Sequence, residues 1–173
     1  MAPQSLTVAD LLAARHVLCI QPHYDDNDLF AGGTIARLHD QGARVSYLTV
    51  TDDLVGVLDQ SLSDAEMATQ LEAEQHAAGA VIGVDDFYKL GYPDAGDYDY
   101  FRLRRDIIGY LRRLQPDWVL TVDPWLPYEA HQDHILTGRA VPEAVLLVEF
   151  TLLKTAPDID DAYQPKPLTG VAY

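Results

Sequence analysis

The stretch His16-Val-Leu-Cys-Ile-Gln21, leading directly into Pro22-His23-Tyr24-Asp25-Asp26-Asn27-Asp28-Leu29-Phe30, decides the fold. A near-continuous apolar run of this length reads as a strand buried on both faces, and residues 22–30 read as a polar loop. Gly32-Gly33 then reads as the opening of a helix from Thr34 to Gln41, closed by Gly42. Residues 43–51 (Ala-Arg-Val-Ser-Tyr-Leu-Thr-Val-Thr) are β-branched and read as a second strand. Upstream, Thr7 with Asp10 three residues on marks the start of a short helix ending near Arg15.

Working towards the C-terminus, Ser63-Asp-Ala-Glu66 is a capping box for a helix running to Ile82 and stopped by Gly83. Phe87 to Leu90 is a short third strand. Tyr100 to Leu114 is an amphipathic helix, with Phe101, Ile107, Ile108, Leu111 and Leu114 apolar and Arg102, Arg104, Arg105, Arg112 and Arg113 expected in solvent. Gln115-Pro116-Asp117 breaks it before a fourth strand, 118–122. His131 starts another helix, which Pro142 is expected to cap off or kink. Strand and helix alternate four times, which predicts an α/β, Rossmann-like, mostly parallel sheet with helices on both faces. Residues 155–168 read as loop, and Leu168-Thr-Gly-Val-Ala-Tyr173 as a strand just begun, which needs a partner strand. The expectation is one domain over 1–173, with a C-terminal segment truncated or supplied by another chain.

Composition bounds the function. The 173 residues carry 12 Lys and Arg against 27 Asp and Glu, a net charge of −15. Such a surface repels phosphate backbones and anionic headgroups, so neither nucleic acid nor membrane is expected as a partner. A single cysteine, Cys19, excludes a disulfide scaffold and a cysteine-based zinc knuckle. Met1-Ala-Pro-Gln-Ser5 lacks a basic start and an apolar run, so the expected location is cytoplasmic.

In a doubly wound sheet, the loops at the carboxyl ends of the strands form the reactive crevice. With a 3-2-1-4 strand order, His23-Tyr24-Asp25-Asp26 after the first strand faces His131-Gln132-Asp133-His134 after the fourth. Two imidazoles and a carboxylate with an open fourth position suit a catalytic zinc. The plain alternatives stand beside this: a strand-end histidine is often only hydrogen-bonded, paired aspartates are often turn residues, and histidines at a helix start can cap it. His16, His39 and His76 read as structural or surface residues.

These residues also resemble a known family. Pro22 to Thr34 resembles the A/P-H-P-D-D-E-x-x-x-x-G-G-T signature of the PIG-L/LmbE-like zinc-dependent de-N-acetylases, with matching spacing from His23 to Gly32-Gly33-Thr34. His131-Gln132-Asp133-His134 resembles the second motif, H-P/x-D-H. Gln115 to Leu120, Ala77 to Val84 and Leu90-Gly91-Tyr92-Pro93-Asp94 resemble further segments. The resemblance implies a Rossmann-like hydrolase with one zinc ion per chain. It implies His23, Asp26 and His134 as metal ligands, Asp25 as general base, His131 as oxyanion stabiliser and acid, and Asp133 as its orienting group. It implies a small N-acylated amino sugar or conjugate as substrate, acetyl foremost, and a homo-oligomer, trimer or hexamer.

The departures fall at sugar-contacting positions. Tyr24 replaces a proline, Asn27 a glutamate, and Leu71 an arginine three residues before Glu74. Thr51-Asp52-Asp53-Leu54 stands where T-x-G-E is usual, leaving Asp53 to take over a hydroxyl contact. They favour a second reading, a non-catalytic metal-binding member with an altered sugar pocket, which intact Asp25 and His131 disfavour. A dinucleotide- or methyl-donor-binding Rossmann domain needs G-x-G-x-x-G after the first strand, where this chain has an acidic loop.

Overall fold

The computed structural model describes residues 6–57 and 61–173; the reading of Met1–Ser5 lies outside the described residues. The elements run α1 (Val8–Leu12), β1 (His16–Gln21), α2 (Asp26–Asp40), β2 (Arg44–Thr51), α3 (Asp64–Ile82), β3 (Asp86–Tyr92), α4 (Tyr100–Leu114), β4 (Trp118–Thr121), α5 (Gln132–Leu147), α6 (Pro157–Ala162) and β5 (Gly170–Ala172). One parallel sheet has the order β3-β2-β1-β4-β5. The chain reverses direction across the sheet between β1 and β4, so the loops after these two strands meet at the switch point.

Alternation along the strands divides the core. Leu18, Ile20, Leu48, Val50 and Val119 face α4 and α5, packing on Leu103, Ile107, Ile108, Ala140 and Val141. Val17, Cys19, Val45, Tyr47 and Leu120 face the other way, against Ile35 and Leu38 of α2. Thr7 and Ser63 cap α1 and α3 with complete capping boxes, and Gly83 ends α3 at φ 91°. A side chain at Gly83 would also drive into the His39 ring, 2.2 Å from its ideal Cβ.

Five expectations need correction. First, α2 begins at Asp26, not Gly32, because Asp25 is its N-cap residue and Asp26 and Asp28 complement the positive end of the helix. Gly32 and Gly33 lie within the helix, with no atom within 4 Å of an added Cβ. Second, of the two outcomes expected at Pro142 the capping does not occur: α5 runs through it to Leu147. Burial of Ala140, Val141 and Ala144 outweighs one lost backbone hydrogen bond. Third, Phe101 is 59% exposed although it lies on the amphipathic α4.

Fourth, Arg112 is only 3% exposed. Its guanidinium donates to the carbonyls of Val148, Phe150 and Leu153 at the end of α5 and to Asp160 at 2.6 Å. This anchor explains the fifth difference, α6, which forms within the stretch read as loop, with Pro157 in its first turn. The terminal strand finds its partner in this chain: β5 pairs in parallel with β4, Val171 opposite Val119.

Candidate metal centre

Four loops converge at the carboxyl edge of the sheet: 22–25 after β1, 52–57 after β2, 93–99 after β3 and 122–131 after β4. Carboxylates tie them together by accepting backbone N–H groups. Asp53 accepts from Tyr24 at 2.9 Å, and Asp52 accepts from Asp94 at 3.0 Å. Asp94 accepts from Val55 at 2.8 Å and Gly56 at 3.3 Å, and Asp133 accepts from Ala95 at 2.8 Å. Asp53, Ala95 and Tyr128, one in each of three loops, hold positive φ angles of 58°, 51° and 69°. Such strain persists only where the surroundings fix it, and it collects at functional edges.

His23 and Asp26 stand on either side of the turn into α2. The His23 backbone N–H donates to Asp26 Oδ2 at 2.9 Å. Asp26 Oδ2 lies 3.4 Å from His23 Nδ1, and Oδ1 lies 3.3 Å from His134 Nε2. Together these three form a group whose donor atoms lie within 4.8 Å of one another. A tetrahedral zinc with bonds of about 2.0–2.1 Å sets neighbouring ligand atoms about 3.3–3.4 Å apart, close to both separations, each of which is made by a different oxygen of Asp26.

The opposite nitrogens of both imidazoles face carboxylates. His134 Nδ1 lies 3.0 Å from Glu129 Oε2. His23 Nε2 lies 3.2 Å from Asp94 and 3.5 Å from Asp133, buried and without a hydrogen bond of good geometry. Carboxylates behind ligating histidines orient the rings and raise their basicity. His23, Asp94, His131 and Asp133 form a second close group, which shares the His23 ring through this far side.

Electrostatics point the same way. Burial works against the charged form of His23, yet the Asp26 hydrogen bond and the charges of Asp26, Asp53 and Asp94 push its pKa up to about 9. Burial also opposes charge on Asp26, but His134 and His23 hold its carboxyl well below the usual range. The same field that raises the pKa of both rings favours a cation between them.

Asp25 is exposed and its side chain makes no cap hydrogen bond. His131 is the N-cap of α5, its ring 4.6 Å from that of His23 and 5.0 Å from that of His134. His131 Nδ1 accepts the Asp133 backbone N–H at 3.3 Å. The Asp133 carboxylate itself is 3.9 Å from that nitrogen and is engaged by the Tyr98 hydroxyl at 2.8 Å and the Ala95 N–H. Asp53 spends one oxygen on the N–H that Tyr24 has and proline would lack.

Gln21 supports the loop from below. Its amide donates to the Tyr24 carbonyl and accepts the Asn27 N–H, so it spans both flanks of Asp25-Asp26. Glu129, Tyr98 and Gln21 were not foreseen as parts of the site. Glu129 alone carried a signal, an acid two residues before the histidine motif.

Known proteins resemble the chain over the same elements. A profile of the PIG-L family, described as GlcNAc-PI de-N-acetylase, matches residues 18–145. The chain is 39% identical over 132 residues to the diacetylchitobiose deacetylase of Thermococcus kodakarensis, covering 76% of this chain and 49% of that protein. It is 30% identical over 142 residues to the probable N-acetyl-alpha-D-glucosaminyl L-malate deacetylase 2 of Bacillus anthracis, covering 78% and 61%. The N,N'-diacetylchitobiose deacetylase of Pyrococcus horikoshii, solved with its inhibitor, superposes with a TM-score of 0.79 at 39% identity, over 88% of this chain and 57% of that one. The chain therefore spans about half to three-fifths of the length of these relatives. With the profile running from β1 into α5, across both histidine loops, the chain belongs to the PIG-L family.

Proposed function

We propose that this chain is a zinc-dependent hydrolase that removes an N-acyl group, acetyl foremost, from an amino-sugar-containing substrate. One observation carries the reading: Asp26 bridges His23 and His134 with its two carboxylate oxygens, at 3.4 and 3.3 Å, with a carboxylate behind each ring. His23, Asp26 and His134 would hold the ion, one per chain. When bound, such an ion supplies Lewis acidity, polarising an amide carbonyl and acidifying water at neutral pH.

The chain's own groups supply the proton transfers. Asp25, exposed and free of a capping role, accepts the proton of the attacking water. His131 has Nδ1 committed as an acceptor, so its ring proton sits on Nε2. That N–H donates a hydrogen bond to the oxygen that gains charge as the carbonyl is attacked, and the proton that Asp25 took from water passes to the departing amine as the C–N bond breaks. Asp133 fixes His131 through its backbone, while Tyr98 and Ala95 fix Asp133.

The relatives' names support the amino-sugar amide as substrate class. The test is hydrolysis of an N-acetylglucosaminide by zinc-loaded wild type and by Asp25→Asn. Loss of about 10²–10⁴-fold in turnover with zinc retained is expected. Equal turnover in both would remove Asp25 from the mechanism.

A further inference from the structure

Charge selection at the same crevice follows from its lining and rests on the amino-sugar hydrolase reading. Segments 22–26, 52–57, 93–99 and 122–133 carry ten Asp and Glu residues and not one Lys or Arg. From Val45 to Tyr88 the sequence has no Lys or Arg at all. The flanking cations stand on elements leading away: Arg37 lies in the last turn of α2, and Arg102 on α4 lies 4.0 Å from Asp106. The carboxylates that tie the loops are met by backbone N–H groups, which neutralise no charge. A divalent ion at His23, Asp26 and His134 would offset two of the ten.

A second observation points to a ligand rather than to a merely solvated acidic face. The His23 side chain is nine-tenths buried among these carboxylates, and its Nε2 lacks a hydrogen-bond partner. The β4–α5 loop adds aromatic surface at the same edge. Trp125 is 60% exposed, and Tyr128 is fully exposed despite a positive φ. Flat exposed rings beside acidic loops with no Lys or Arg among their described residues suit the apolar face of a sugar better than a phosphate or carboxylate, which needs Arg or Lys.

We propose that the crevice selects its substrate by charge: it takes amino-sugar glycosides whose aglycone is neutral or cationic and turns away those bearing phosphate or carboxylate. A glycan that already carries a free amine beside the reacting sugar is then a good substrate. An anionic conjugate is a poor one even where its sugar is correct.

The test uses a matched series of N-acetylglucosamine derivatives on the zinc-loaded chain: the methyl glycoside, the 2-aminoethyl glycoside and the 1-phosphate. The sugar is constant and the aglycone small through the series while its charge changes sign, and the salt dependence separates charge from shape. Electrostatic selection of this kind is worth ~10-fold or more at low ionic strength. The expected order in kcat/KM is cationic at or above neutral, with the phosphate at least ~10-fold below. Because the effect is electrostatic, roughly 0.5 M salt should shrink the gap several-fold. A phosphate hydrolysed as well as the methyl glycoside overturns charge selection and leaves the hydrolase reading standing. A gap that salt leaves unchanged means shape selects, which also overturns it. If none of the three is hydrolysed, the hydrolase reading falls and the proposal falls with it.

Discussion

Removing the Glu129 carboxylate should weaken metal binding without unfolding the protein. Glu129 is half-buried at the end of the β4–α5 loop, touching His134 Nδ1 at 3.0 Å and the His131 backbone N–H at 2.7 Å. It thus orients one expected ligand and fixes the start of α5. Burial alone would raise its pKa, but the His131 N–H and the neighbouring His134 hold it below the usual range, so it is ionised at neutral pH. A hydrogen bond to a charged group contributes about 1.5–3 kcal/mol, which corresponds to roughly 10–100-fold in affinity. Glu129→Ala should therefore raise the zinc dissociation constant by roughly 10–100-fold. Glu129→Gln keeps an acceptor without the charge and should lose about half as much free energy. The assay is zinc titration against a chromophoric chelator, with circular dichroism on the same samples. Unchanged affinity in folded Glu129→Ala would refute the orienting role and weaken the assignment of His134.

Tyr98→Phe deletes the hydroxyl that meets Asp133 Oδ1 at 2.8 Å; it should lower kcat roughly 10-fold and leave zinc content unchanged, and a change confined to KM would contradict this role. Arg112→Met leaves Asp160 and three carbonyls buried without their donor, so it should cost about 3–5 kcal/mol in chemical denaturation. Burial alone would raise the Asp160 pKa, but Thr155 and Arg112 hold it below the usual carboxylate range, so its stabilisation is full above about pH 4 and is lost as pH falls. Between about pH 4 and pH 2, wild type should lose stability faster than Arg112→Met, and parallel pH profiles would contradict the linkage. Gly138→Ala would set its Cβ 2.7 Å from the Val122 carbonyl oxygen; displacing α5 should cost about 1–3 kcal/mol and weaken zinc binding through His134, whereas unaltered stability and affinity would contradict the close packing.

The sheet was legible because β1 and β2 are continuous apolar or β-branched runs, and because Ser63, Gly42 and Gly83 punctuate the helices locally. The start of α2 was not, since a pair of glycines is a stronger local signal than the complement of aspartates to a helix end. Arg112 was misjudged because periodicity cannot distinguish a solvated arginine from one received by carbonyls 36 to 41 residues away. The histidine motifs announced the site, and their neighbours did not. Tyr98 and Asp94 reach it only through the fold of the loop after β3, at a separation that no spacing rule covers.

The proposed metal centre is His23, Asp26 and His134. Its most direct test is zinc per chain, by elemental analysis of wild type and Asp26→Ala purified without chelator, supplied with zinc and desalted. About one equivalent is expected in wild type and a large loss in the variant, whose two remaining histidines hold zinc far more weakly. Less than about a tenth of an equivalent in wild type, or equal zinc in both proteins, would contradict it.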